Sequence, residues 1–245
     1  MIILFSPSEG KREGGTFPAL TQQSLIFPEL YSKRFEVLRQ YELLIQNGSD
    51  EDLYELFGIK DPQIYSRYRK SLTSTATMKA IERYDGVAYD YLDYFHLSLE
   101  AKTYIDTHTI LFSNLFGPLK ASDLIPDYKL KQGSSIGEFI PDKHYKKHFS
   151  AALDAIIADN EVLDLRAGYY DKFYIPIKPI VTLKFLKNGK VVSHWAKAYR
   201  GIILREVASN QIHSIDELLG LNIKGLIVEE ILQSKKKKEV IYSIV

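Results

Sequence analysis

Short polar segments carry the residue types that could do chemistry in this chain. Ser6-Pro7-Ser8-Glu9-Gly10-Lys11 follows the apolar run Ile2–Phe5, and the end of a strand is where α/β proteins collect ligand-binding groups. Glu9 can serve there as a general base or metal ligand, and Lys11 as a phosphate partner beside Ser6. The segment lacks the Gly-Lys-Ser/Thr ending of a P-loop, and a solvated loop is the alternative on these residues. Arg166 follows the expected strand Val162–Leu165 in the same way. Lys197 and Arg200 are spaced to share one helical face. With Lys172 they could line a positive cleft, the setting in which Arg forks and Lys ammonium groups hold phosphates. Taken singly, each equally suits a surface or ion-paired role.

Residues 113 to 120, Ser-Asn-Leu-Phe-Gly-Pro-Leu-Lys, offer a second chemistry. A helix-hairpin-helix points turn amides at a phosphate and favours small or φ-positive residues around a hydrophobic one. Asn114 tolerates the left-handed region, Gly117 has no Cβ, Pro118 presets a helical φ, and Lys120 adds charge. An ordinary turn with Leu115, Phe116 and Leu119 in the core fits the same residues. His144 and His148 have i,i+4 spacing, but neither neighbour supplies the Glu of a zinc-protease signature. No metal site is expected, and no cofactor motif is present.

The elements that must position these groups are legible in outline. Ile2–Phe5 reads as a buried strand. Helical spacing covers Leu30–Ile45, ended by Asn47-Gly48, and Ser49-Asp50-Glu51-Asp52 caps a short helix through Phe57. Leu97–Ile105 reads as a helix leading into the apolar run Thr109–Phe112. His144–Ala158 has the clearest amphipathic pattern. Val162–Leu165 reads as a strand, Pro179–Leu186 and Val191–Trp195 flank the hairpin signal Asn188-Gly189, and helices follow at Ala196–Ser209 and Ser214–Leu219. Strands return at Leu226–Ile231 and Val240–Val245, separated by Lys235-Lys236-Lys237-Lys238 as a solvated turn. Strands scattered among helices predict one mixed α/β (α+β) domain over residues 1–245.

Composition bounds the function. The 245 residues are 45% hydrophobic and 12% aromatic, with 17 Tyr, which excludes intrinsic disorder. The absence of Cys excludes disulfides, thiolate metal sites and thiol catalysis. No apolar run approaches the ~18 residues of a membrane span, so a soluble cytoplasmic protein, most simply a monomer, is expected. The net charge of +1 argues against coating nucleic acid by bulk charge. Yet Lys172 to Arg205 contains Lys178, Lys184, Lys187, Lys190, Lys197 and Arg200 and no Asp or Glu.

Several segments together resemble one family. Ser6-Pro7-Ser8-Glu9-Gly10-Lys11, Tyr84-Asp85-Gly86-Val87-Ala88-Tyr89, Ser113-Asn114-Leu115-Phe116-Gly117 with Asp123 and Ile125-Pro126-Asp127-Tyr128-Lys129-Leu130, Asp164-Leu165-Arg166-Ala167-Gly168-Tyr169, Lys197-Ala198-Tyr199-Arg200-Gly201 and Leu219-Gly220-Leu221-Asn222-Ile223-Lys224-Gly225 fall in the order and spacing of the peroxide stress protein YaaA family. Two places depart from the commoner pattern: the first loop reads SPSEGK, and Ala167 and Tyr169 stand where others carry Ser and Glu. The resemblance implies a compact α/β domain of unusual topology with a helix-hairpin-helix around residues 97–125. It also implies affinity for DNA and a role in limiting damage from peroxide and intracellular iron. On this basis the expected partner is double-stranded or structured DNA, bound without sequence preference by Asn114, Leu115, Gly117, Leu119 and Lys120. The cleft candidates are Ser6, Glu9, Lys11, Arg166, Lys172, Lys197 and Arg200. An enzyme acting on a nucleotide or nucleic acid in that cleft is the alternative.

Overall fold

Short, mostly apolar runs such as Ile2–Phe5 and Ile110–Phe112 make the centre of the sheet, because a parallel strand covered on both faces has no solvent side to present. The computed structural model describes every residue except Lys236, and Ser193 and His194 by their backbone alone. In chain order the elements that matter are β1 (Ile2–Phe5), α1 (Tyr31–Asn47), α2 (Val87–Leu92), α3 (Leu99–His108), β2 (Thr109–Ser113), β3 (Gly117–Lys120), α4 (Pro141–Ile157), β4 (Val162–Asp164), β5 (Ile180–Lys187), α5 (Ser193–Ser209), β6 (Leu226–Gln233) and β7 (Lys237–Ile244). The main sheet runs β6-β7-β5-β4-β1-β2-β3. Its five inner strands are parallel, and β6 and β3 close the two sides antiparallel. Ile3, Leu4 and Phe5 are buried, as is every residue of β2.

The chain leaves β1 for β2 on one side and later returns to β4 on the other. The gap between the carboxyl ends of β1 and β4 is therefore a topological switch point, where open α/β sheets bind ligands. The helix α5 packs against α2 and α3 beside this gap. Their approach requires Gly201, where an added Cβ would overlap the Ala88 carbonyl oxygen.

The segment expected as a helix-hairpin-helix is different. Only Leu99–His108 is helical, and residues 109–120 form a buried antiparallel β-hairpin. The Ser113 hydroxyl accepts the amides of Leu115 (3.1 Å) and Phe116 (2.9 Å), so the turn amides that were to meet a phosphate are already satisfied. Gly117 has the positive φ expected of it, 70°, but a Cβ there would overlap the Tyr145 ring. Tyr145 donates to the Leu115 carbonyl, and Arg34 donates to the Pro118 carbonyl at 2.7 Å. Asn114, Leu115 and Leu119 are buried, and only Lys120 of the five residues assigned to DNA is partly exposed.

The Asn188-Gly189 turn forms as expected, with φ of 51° and 71°. Its return strand is only Lys190–Val191, and α5 begins at Ser193. Trp195 and Tyr199 thus belong to a helix; Tyr199 stacks on Phe185 while Trp195 stays exposed. β7 begins at Lys237, and the expected lysine turn includes Lys236, outside the described residues.

Candidate functional site

A crevice of about 410 Å³ opens at the switch point. Its floor is Phe5, Ser6, Leu165 and Ala167 at the ends of β1 and β4, one wall is Gly86–Tyr89, and Lys197 and Arg200 enter from α5. Ser6 fastens the floor: its hydroxyl accepts the Ala167 amide at 2.8 Å, and its carbonyl accepts the Tyr89 hydroxyl at 2.9 Å. Gly86 has φ 137°, and a Cβ there would stand 2.8 Å from the Ser8 hydroxyl, so glycine lets the wall approach the first loop.

Lys197 and Arg200 stand one helical turn apart on α5. Arg200 is half-buried and Lys197 exposed. Among the described residues neither has an acidic partner within 4.0 Å. Burial lowers the pKa of Arg200, an effect opposed by the Asp164 carboxylate.

Glu9 and Gln132 form the rim with Tyr170. The Glu9 side chain is 53% exposed; its Oε1 accepts the Gln132 amide at 3.1 Å, and its Oε2 lies 3.6 Å from the Lys129 ammonium. Glu9 is thus held in position without being buried, and one carboxylate oxygen keeps acceptor capacity.

The structure places the remaining cleft candidates elsewhere. Arg166, with a side chain only 1% exposed, forks onto Asp164 through Nε (2.9 Å) and Nη2 (2.8 Å). Its Nη1 donates to the Tyr170 and Tyr174 carbonyls, and its plane lies 4.6 Å from the centre of Phe112. Those contacts consume the guanidinium, which buckles β4 to the segment after it. Lys11 donates to the Ser8 and Glu9 carbonyls at 3.3 Å, and its Nζ sits 4.3 Å from the centre of the Tyr128 ring. Burial first, and then the Lys129 charge, push Lys11 down to about 7. Lys172 lies over Tyr169, outside the crevice lining.

His144 donates through Nε2 to the Lys33 carbonyl, 2.8 Å away, and no group of three or more metal-ligating side chains gathers among the described residues. Sequence reasoning missed Gln132 and Tyr170, which no spacing marks. It quoted Gly86 and Gly201 without their role, which is to let walls and helices approach. No described helix is long and apolar enough to cross a membrane.

A family model described as peroxide stress protein YaaA matches residues 1–232. The protein Cj0984 of Campylobacter jejuni is 47% identical over 244 residues, covering 100% of this chain and 99% of that one. A UPF0246 protein of Corynebacterium glutamicum is 33% identical over 245 residues, covering 94% and 95%. The UPF0246 protein SCO2297 of Streptomyces coelicolor is 31% identical over 216 residues, covering 84% and 82%. With a matched span that includes every wall of the crevice, the chain belongs to the peroxide stress protein YaaA family.

Proposed function

We propose that this protein serves the peroxide-stress response by binding a small phosphate-bearing ligand of the nucleotide class in the crevice between β1 and β4. The observation that carries this reading is Arg200, a half-buried guanidinium that lines the crevice with Lys197 and has no acidic partner within 4.0 Å among the described residues. Withdrawing a cation from water is costly, the Asp164 carboxylate offsets only part of that cost from beyond 4.0 Å, and an arriving phosphate would offset more with two forked hydrogen bonds. The volume lies within the range of small-molecule sites and does not admit a duplex. The stress role rests on the family, and the ligand class rests on the chemistry of the lining.

Calorimetric titration with pyrophosphate tests this reading. Arg200→Gln and Lys197→Gln should each weaken binding about tenfold or more, in line with ~1.5–3 kcal/mol for a charged hydrogen bond. Unchanged affinity in both variants would remove the crevice as a phosphate site.

Non-sequence-specific DNA binding is the second reading, and one observation favours it. Lys187 lies 5.1 Å from the centre of the Trp195 ring, so an exposed cation of the acid-free segment stands with an exposed aromatic ring at the start of α5. DNA would meet this surface, not the buried hairpin. Log affinity should then fall linearly with log salt, with a slope near −0.9 per phosphate contacted. Lys187→Gln with Lys190→Gln should flatten that slope, and an unaltered slope would reject the surface.

A further inference from the structure

Resting on the nucleotide reading, we propose that the crevice selects ribonucleotides over their 2′-deoxy counterparts, with the Glu9 carboxylate accepting hydrogen bonds from the ribose hydroxyls. The lining offers three chemistries. Lys197 and Arg200 suit an anion, Val87, Leu165 and Tyr170 suit a flat apolar ring, and Glu9 is the sole carboxylate in the described lining. An ionised carboxylate only accepts, so the part of the ligand facing Glu9 must donate. It cannot be the phosphate, which Glu9 would repel and which the two cations attract. A pair of sugar hydroxyls supplies donors without charge, as ribose does to the acidic residue of dinucleotide-binding folds.

The fixing of Glu9 supports this role. The Gln132 amide occupies Oε1, while Oε2 has the Lys129 ammonium at 3.6 Å, beyond hydrogen-bonding distance. A carboxylate serving only to latch the first loop to residues 129–132 would hydrogen-bond through both oxygens, whereas Oε2 has only the longer ion pair. Here the latch sets the orientation and leaves one oxygen free to accept from a ligand, on a side chain that lines the crevice and is half exposed.

The test titrates AMP, CMP, GMP and UMP, each 2′-deoxy counterpart, and pyrophosphate into the full chain and two variants. The parent should bind at least one ribonucleotide about tenfold tighter than its 2′-deoxy form, as expected for loss of a charge-assisted hydrogen bond. Glu9→Gln should bring the pair together by weakening the ribonucleotide, while pyrophosphate, which has no hydroxyl pair, should bind slightly tighter. Lys129→Gln removes the ion pair but keeps the carboxylate, and should retain the preference. Equal binding of ribo and deoxy forms by the parent overturns the proposal while leaving the phosphate site standing. So does loss of the preference in Lys129→Gln with Glu9 intact, which would make Glu9 a latch. If the parent binds neither pyrophosphate nor any nucleotide, both this proposal and the phosphate reading fall.

Discussion

A guanidinium serves the fold or a ligand according to how many of its donors its neighbours already use. Arg166 has Asp164 and two backbone carbonyls, while Arg200 has no such partner among the described residues. Arg166→Leu should therefore destabilise the fold by about 3–5 kcal/mol, because it strands a buried carboxylate. Urea denaturation measures it, and a stable variant that had merely lost pyrophosphate binding would contradict the assignment. Lys11 gives a pH signature. Its folded value of about 7 lies below the unfolded 10.5, so between these values the unfolded chain holds a proton that the folded chain lacks. The contribution to stability is complete above pH 10.5 and is lost as pH falls to about 7. Lys11→Met should raise stability at pH 7 and flatten its dependence across that window, as read by denaturation at a series of pH values.

Between elements, side chains that leave no room are as decisive as those that bond. Gly201 lets α5 cross α2 at the Ala88 carbonyl. Gly201→Ala should cost about 2 kcal/mol by overpacking and should also weaken pyrophosphate binding, because the crossing sets how far Lys197 and Arg200 stand from the opposite wall. Normal binding with normal stability would show that α5 can shift freely. Gly117→Val joins a φ-positive backbone to the Tyr145 ring, so its effect should fall on folding, by at least about 3 kcal/mol. The link between β3 and residue 26 runs through Asp123, whose Oδ2 accepts the Ile26 and Lys120 amides at 2.8 and 3.0 Å. Burial raises Asp123 from 3.8 to about 6. That contribution to stability is present below pH 3.8 and lost as pH rises through about 6. Asp123→Asn should keep the acceptor and remove this slope, and an unchanged slope in thermal melts would assign it to another group.

Across the whole molecule, what was legible in the sequence depended on how local its cause was. β1 was readable because buried parallel strands tend to be continuous apolar runs, β4 because Val162 and Leu163 with Leu165 keep most of that pattern around Asp164, and Asn188-Gly189 because φ-positive turns need those residues. The switch-point cations Lys197 and Arg200 and the rim residue Glu9 followed from strand ends and helical spacing. The 109–120 hairpin was hidden, because Gly117 suits either kind of turn. The choice is made by Ser113 capturing the turn amides and by Tyr145 filling the space from a distant helix. The start of α5 was masked by Val191-Val192 and Trp195, whose strand-favouring side chains follow the turn directly. Arg166 and Lys11 were misplaced for a related reason: spacing locates a side chain on its own element but says nothing of the carbonyls and rings that await it.

The position of β1 in the sheet also governs timing. This strand lies inside the sheet, between neighbours that begin at Thr109 and Val162, and the cations of the crevice come later still. During synthesis β1 stays unpaired until the strand from Thr109 has been made, and it gains its second neighbour only with Val162. Such long-range pairing slows folding toward the millisecond-to-second range, and a nascent chain stopped before α5 has no place for a phosphate to bind. Since the crevice is assembled from the widest separations in the chain, its closure belongs late on the path. Pyrophosphate should then slow unfolding in stopped-flow experiments while leaving the refolding rate unchanged, as expected for an interaction absent from the transition state.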